Sequence, residues 1–260
     1  MGFIRGGFLV IVSTLLFFSL LAGNVFLTLN LSLSHDVLKE SVSSNFESIL
    51  QSFGGETPRD EIKKATEGIS LYCENNTDFI FSQSGYTVDI PCETAFKGED
   101  AIINEGIGDI IDGIYYKEYS CDSVIKCVSD GKEPFFLFSK QANDYLKSKF
   151  YYFVFISLLL ALGMFFLVEK KENFPIVAGL IVIVSSLPFM KIEKLFSFFD
   201  FSFFQAVPII LSKSYTVFLI MFSLGVVIAV FGIALKFFNF GSFVLGKIDK
   251  KIPKKRKKAS

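Results

Sequence analysis

The residues best placed to do chemistry are four thiols. Cys73, Cys92, Cys121 and Cys127 are the only cysteines among 260 residues, and the last two close the stretch "CDSVIKC". Thiols this close together can form disulfides, hold a metal or exchange electrons. Zinc asks for four ligands, commonly with CxxC-like spacing, whereas the gaps here are 18 and 5 residues and the sole histidine, His35, stands beside an apolar run. Outside the cytoplasm thiols oxidise and stay oxidised, so the choice depends on which side of a membrane they face. Four cysteines allow three pairings. Cys73–Cys92 and Cys121–Cys127 are expected because each closes a local loop, and each disulfide would contribute about 2–3 kcal/mol.

Other chemistry is sparse. The sequence has no phosphate-binding Gly-rich loop, no HExxH, no GxSxG and no CxxC. A single histidine removes most Ser-His and His-ligand constellations. Acidic pairs such as Glu99-Asp100 lack the spaced ligand loop of a calcium site and read as a solvated face. The expectation is a non-catalytic protein with no cofactor and no bound metal.

The elements that must position the thiols are dominated by apolar runs. Phe8–Leu29, Phe150–Val168, Phe174–Met190 and Tyr215–Leu235 each run 17–22 residues without a charge, in a chain that is 51% hydrophobic with 33 Phe. A helix of about 20 apolar residues crosses a bilayer core of about 30 Å, and in lipid the backbone must satisfy its own polar groups. Four transmembrane helices are predicted. The first run is longer than a signal-peptide core and reads as a retained anchor (residues 1–32). "MGFIRG" lacks the Ser or Thr of a myristoylation signal.

Charge sets the orientation. Arg5 precedes the first run, Lys170 and Lys171 lie in the link "EKKEN", and nine basic residues against one acidic follow from Lys236. Cationic flanks stay in the cytoplasm. With four crossings all three flanks fall on one side, so both termini are expected in the cytoplasm of a multi-pass cell-membrane protein. Residues 33–149, with 21 acidic and 11 basic residues for a net of −10, then form an extracytoplasmic domain holding all four cysteines. Within the membrane domain (150–236), segment 195–211 is apolar but carries Asp200. That charge would cost about 3 kcal/mol at mid-membrane, so the segment reads as an outer re-entrant or interfacial piece.

Inside the outer domain, Leu38, Val42, Phe46 and Ile49 recur at helical spacing, giving a helix over 35–53 that "GG" stops. "TPRD" starts a second helix, with Thr57 as N-cap, that runs to Cys73. "DFIFSQSGYTVDIPC" reads as a short β-hairpin. Ile103, Ile107, Ile110, Ile111 and Ile114 mark a third helix. Ser139 opens a helix that runs on into the second span. Asn75-Asn76-Thr77 is an N-glycosylation sequon with Asn75 as acceptor; Asn30-Leu31-Ser32 is a second, close to the bilayer.

The last segment, 237–260, is expected to hold an interfacial helix, "FFNFGSFVLG", and a basic cytoplasmic tail. Lys250, Lys251, Lys254, Lys255, Arg256, Lys257 and Lys258 would meet anionic headgroups, each contributing about 1 kcal/mol near the surface. No aromatic residue interleaves with these lysines, so nucleic acid is not an expected partner. Gly179 and the pair Gly225/Ala229 suit close helix packing within the chain, or a homo-oligomer face.

"FLTLNLSLSHDVLKES", "ETPRDEIKKATEGISLY" and "SKSYTVFLIMFSLGVVIAVFGIALK" together resemble a group of uncharacterised prokaryotic, archaeal-type four-span membrane proteins with a helical extracytoplasmic domain between the first and second spans. That resemblance implies a mainly α architecture and contributes no site residues. The function expected from the whole is binding or scaffolding of an envelope partner by the outer domain. A small transport or channel component is the alternative, and a membrane-embedded enzyme the third.

Overall fold

The four apolar runs become helices. In the computed structural model, which describes residues 3–44, 67–83, 86–120, 127, 135–192 and 207–249, the protein is mainly helical with one small sheet. In chain order come α1 (Phe3–Ser32), α2 (His35–Ser44), β1 (Asp78–Gln83), β2 (Tyr86–Pro91), α3 (Cys92–Ala95), α4 (Glu99–Tyr115) and α5 (Lys140–Leu167). They are followed by α6 (Phe174–Ser186), α7 (Val207–Ile210) and α8 (Ser214–Asp249). Among the described residues four helices are long and apolar enough to cross a membrane: Ile4–Ser32, Lys140–Leu167, Lys171–Met190 and Ser214–Phe238.

Packing divides the chain into two units. One comprises Met1–Asn24, Tyr152–Met190 and Thr216–Ser260; the other comprises Val25–Tyr151 and Lys191–Tyr215.

The first unit is built from apolar helices with few polar contacts. Leu16, Met164 and Val168 are buried together, surrounded by Val12, Leu160, Phe174 and Ile181. Ser19 Oγ meets Ser157 Oγ at 3.0 Å. Pro188 has no N–H to continue α6, and the α-helix gives way to a 3₁₀ turn over Leu187–Met190. The carbonyls near this break find other donors, as a helix end in an apolar setting demands. Asn24 Nδ2 donates to Ser185 O at 3.4 Å, and the Ser185 and Ser186 hydroxyls donate to Val182 O and Ile183 O at 2.8 and 2.7 Å.

The small residues noted in the sequence are used inside this unit. A Cβ on Gly179 of α6 would lie 2.6 Å from Ala229 N and 2.7 Å from Gly225 O of α8. One on Gly225 would lie 2.9 Å from Gly179 O. The two helices touch backbone to backbone, and the seam is filled within the chain.

Two cations meet at one helix end of the same unit. Arg5 Nε donates to Leu167 O at 2.8 Å and its Nη2 to Phe166 O at 3.2 Å, while Lys171 Nζ donates to Phe165 O and, at 3.4 Å, to Phe166 O. They satisfy the last carbonyls of α5, where the helix dipole favours positive charge.

The second unit gathers α2, the hairpin, α3, α4 and the α7 turn. Leu33, Leu38, Ile107, Ile111, Tyr115, Leu146 and Ile209 form one core. Cys73, Ile90, Cys92, Ala95 and Ile102 form another. α4 serves both, and so its buried stripe is Ile102, Ile107, Ile111 and Tyr115. The expected set had included Ile110, which is 41% exposed. Gly98, at φ 103°, sets the turn into α4 in a region open to glycine.

The hairpin forms as expected, antiparallel, with Phe79 opposite Ile90 and Phe81 opposite Val88. Ser139 Oγ accepts from Ala142 N at 3.1 Å, capping α5, which runs unbroken to Leu167. The helix expected over 35–53 is described for His35–Ser44, and the one expected from Thr57 only over 67–72; Phe46, Ile49 and Thr57 lie outside the described residues.

"FFNFGSFVLG" is helical and continues α8, whose 36 residues run to Asp249 without a break. No proline or turn signal interrupts the sequence there, and at 1.5 Å per residue the helix is about 54 Å long, well beyond a core of about 30 Å.

Candidate functional site

The thiols and the hairpin form one local structure. Cys73 follows the turn of helix over 67–72, Cys92 opens α3, and their sulfurs are bonded with Cα atoms 5.2 Å apart. Both cysteines are 4% exposed. Cys92 N donates to Thr77 O at 2.9 Å, extending the strand pairing to the clasp. Asp109 of α4 accepts from Asp89 N through Oδ2 at 2.6 Å, which ties the free edge of β2 to the helix. Cys127 is also disulfide-bonded and buried beside Tyr119, Phe136 and Ala142. Its expected partner Cys121 lies outside the described residues. Among the described residues no group of His, Cys, Asp and Glu is arranged to hold a metal.

The two sequons differ sharply. Asn75 and Thr77 are exposed in the turn between Cys73 and β1, where Asn76 Nδ2 donates to Tyr72 O at 2.8 Å. Asn30 is engaged inside the fold. Its Nδ2 donates to Asn143 Oδ1 at 3.0 Å, Asn143 Nδ2 donates to Asn30 O at 2.8 Å, and Ser32 is fully buried. Of the other residues singled out in the sequence, Asp200 and the basic residues Lys250, Lys251, Lys254, Lys255, Arg256, Lys257 and Lys258 lie outside the described residues. The end of segment 195–211 is described: α7 places Ile209 in the core with Leu38, and Lys213 N donates to Ser32 Oγ at 3.1 Å.

Sequence reasoning missed one polar cluster. His35, at the start of α2, presents Nε2 to Asp112 Oδ1 on α4 and Nδ1 to Asp36 Oδ1 at 3.2 Å. Lys39 Nζ lies 4.0 Å from Asp112 Oδ2. Its side chain crosses Gly108, where a Cβ would come within 2.6 Å of Lys39 Nζ. The rings of Tyr115 and Tyr116 stand 5.1 and 5.5 Å from the imidazole. The hydrogen bond to Asp112 is the main cause that raises the His35 pKa above its ordinary value, against an opposing effect of burial, with Asp36 adding to the rise. The Tyr115 phenol is pushed up by burial first and by the charge of Asp144 second.

A His-Asp pair is a familiar proton-handling unit, but here both ring nitrogens face carboxylates of the same small cluster. It is arranged to hold a cation between two helices. The cue in the sequence was slight: a sole histidine beside an acid, its partner 77 residues away.

The chain matches no family model, no curated protein and no solved structure.

Proposed function

We propose that this is a multi-pass protein of the cell membrane with both termini in the cytoplasm. Its disulfide-clasped unit between the first and second spans lies outside and binds or scaffolds an envelope partner without catalysis. Arg5 and Lys171 support the orientation, since these two cationic flanks meet at one end of α5 and such flanks stay inside. The basic tail then meets anionic headgroups of the inner leaflet.

The observation that carries the binding reading is the exposure of three large apolar side chains on the disulfide-clasped unit. Leu71 is 68% exposed, Ile80 64% and Phe96 65%, and they flank Cys73, sit on β1 and follow Cys92, respectively. Exposed apolar surface marks sites of association, and these three side chains are the ones that would supply it.

The test is cross-linking of the full-length protein in intact cells with an amine reagent that does not cross membranes. The wild type is expected to give a discrete higher-mass adduct. Leu71→Ser/Ile80→Ser/Phe96→Ser, which alters only exposed side chains, is expected to lose it. No adduct with the wild type, or the same adduct with the variant, would refute the proposal.

A further inference from the structure

We infer that His35 is a pH-sensitive latch: as an imidazolium held by Asp112 and Asp36 it fastens the helix that follows the first span to the core helix of its unit, and loss of its proton loosens that joint. The geometry carries this. A neutral imidazole has one N–H, so with carboxylate oxygens at both nitrogens one ring lone pair would face an oxygen lone pair. Only the doubly protonated ring donates to both.

The neighbours on every facing element agree. α2 contributes Asp36 and Lys39, and α4 contributes Asp112 and Tyr115, followed by Tyr116. From α5, Asp144 adds negative charge close to Tyr115, and α7, "VPII", brings no ionisable side chain. Lys39 opposes the imidazolium but stands farther from Asp112 than a hydrogen bond.

The joint is also where a latch has leverage. α2 begins three residues after α1 ends, and Leu38 of α2 packs with Ile107, Ile111 and Tyr115 of α4 in one core. Because the folded-state pKa of His35 is raised, the latch's stabilisation is complete below the ordinary histidine value of about 6.5. It is lost as pH rises through the folded-state midpoint. The opening constant of the α2–α4 joint rises about tenfold for each pH unit separating those two values. Lower pH closes the joint and higher pH releases it.

His35 is the sole histidine, so a single titration reports it. Full-length protein labelled with ¹³C/¹⁵N-histidine in nanodiscs is expected to show one imidazole midpoint above 6.5. Asp112→Asn is expected to lower it, and Asp36→Asn to lower it less. In parallel, hydrogen exchange of the α2 amides, divided by intrinsic rates, should quicken through the same midpoint in the wild type and lose that step in His35→Gln. Should Asp112→Asn misfold, the milder Asp36→Asn and the wild-type exchange profile still decide. A wild-type midpoint at or below 6.5, or α2 protection that is flat across the midpoint, would overturn the latch.

Discussion

Gly179→Ala is expected to destabilise the protein by about 2–3 kcal/mol, the upper part of the range for overpacking, although it adds a single methyl group. The new Cβ would meet Ala229 N at 2.6 Å, Gly225 O at 2.7 Å and Ala229 Cβ at 2.9 Å. Two of these are main-chain atoms, which cannot rotate aside as a side chain end can, so α6 and α8 must separate. With the unit in lipid, as proposed, no hydrophobic effect would drive the helices together, and association would rely on close packing and interhelical hydrogen bonds. Separating the backbones forfeits dispersion along the whole crossing. Gly163→Ala is the control. Its Cβ would find one neighbour, Val12 Cγ1, at 4.0 Å, and the gain in helix propensity of up to about 1 kcal/mol should leave stability unchanged or slightly higher. Thermal unfolding in a mild detergent distinguishes the pair. Equal midpoints for the two variants would show that the seam does not hold the unit together. The double variant Gly179→Ala/Gly225→Ala should cost less than the sum of its parts, since both lesions open one contact.

Opening the Cys73–Cys92 clasp is the second large expected effect. The bond joins residues 19 apart in sequence, and a loop of that size corresponds to about 3 kcal/mol in the loop-entropy account. The structure it supports has few other resources, because a two-stranded hairpin is marginal by itself. Here β1 pairs with β2 alone among the described residues, and the core beneath is a handful of side chains around Ile90 and Ile102. Cys73→Ser/Cys92→Ser, or reductant acting on the wild type, should abolish exchange protection of the β1 and β2 amides and lower the unfolding midpoint. The Gly179–Gly225 seam lies in the other unit, so its response to Gly179→Ala should be the same with or without reductant. Hairpin protection that survives reduction would mean that strand pairing and the contact of Asp89 with Asp109 suffice.

How far the sequence could be read follows from the range of each signal. The four long apolar helices were legible because length and apolarity are local and need no knowledge of neighbours. The hairpin was legible from alternation around a Gly-containing turn, and the Cys73–Cys92 pair from proximity. The buried face of α4 was not. Isoleucines at 102 and 103 and again at 110 and 111 place apolar side chains on adjoining faces, so spacing alone cannot fix the rotation. That is set by α4 having to cover both the α2 core and the disulfide core, which brings Ile102 in and leaves Ile110 out. The continuation of α8 through "FFNFGSFVLG" was not foreseen because aromatic residues suggested a surface helix, while no proline was present to separate one. The His35–Asp112 contact lay beyond any local pattern, since it arises only when α2 folds back onto α4. Both glycine uses, a methyl-free seam at Gly179 and a path for Lys39 over Gly108, are likewise properties of partners.

The central claim is that the unit carrying the thiols lies outside the cytoplasm, with its sulfurs oxidised. All four cysteines fall between residues 73 and 127, so one labelling experiment examines it directly. Intact cells are exposed to a maleimide that cannot cross the membrane, before and after a reductant that cannot cross it either. The account predicts no labelling before reduction and labelling of the full-length chain after it, without opening the cells. Thiols that label only once the membrane is permeabilised, and then without reductant, would contradict it.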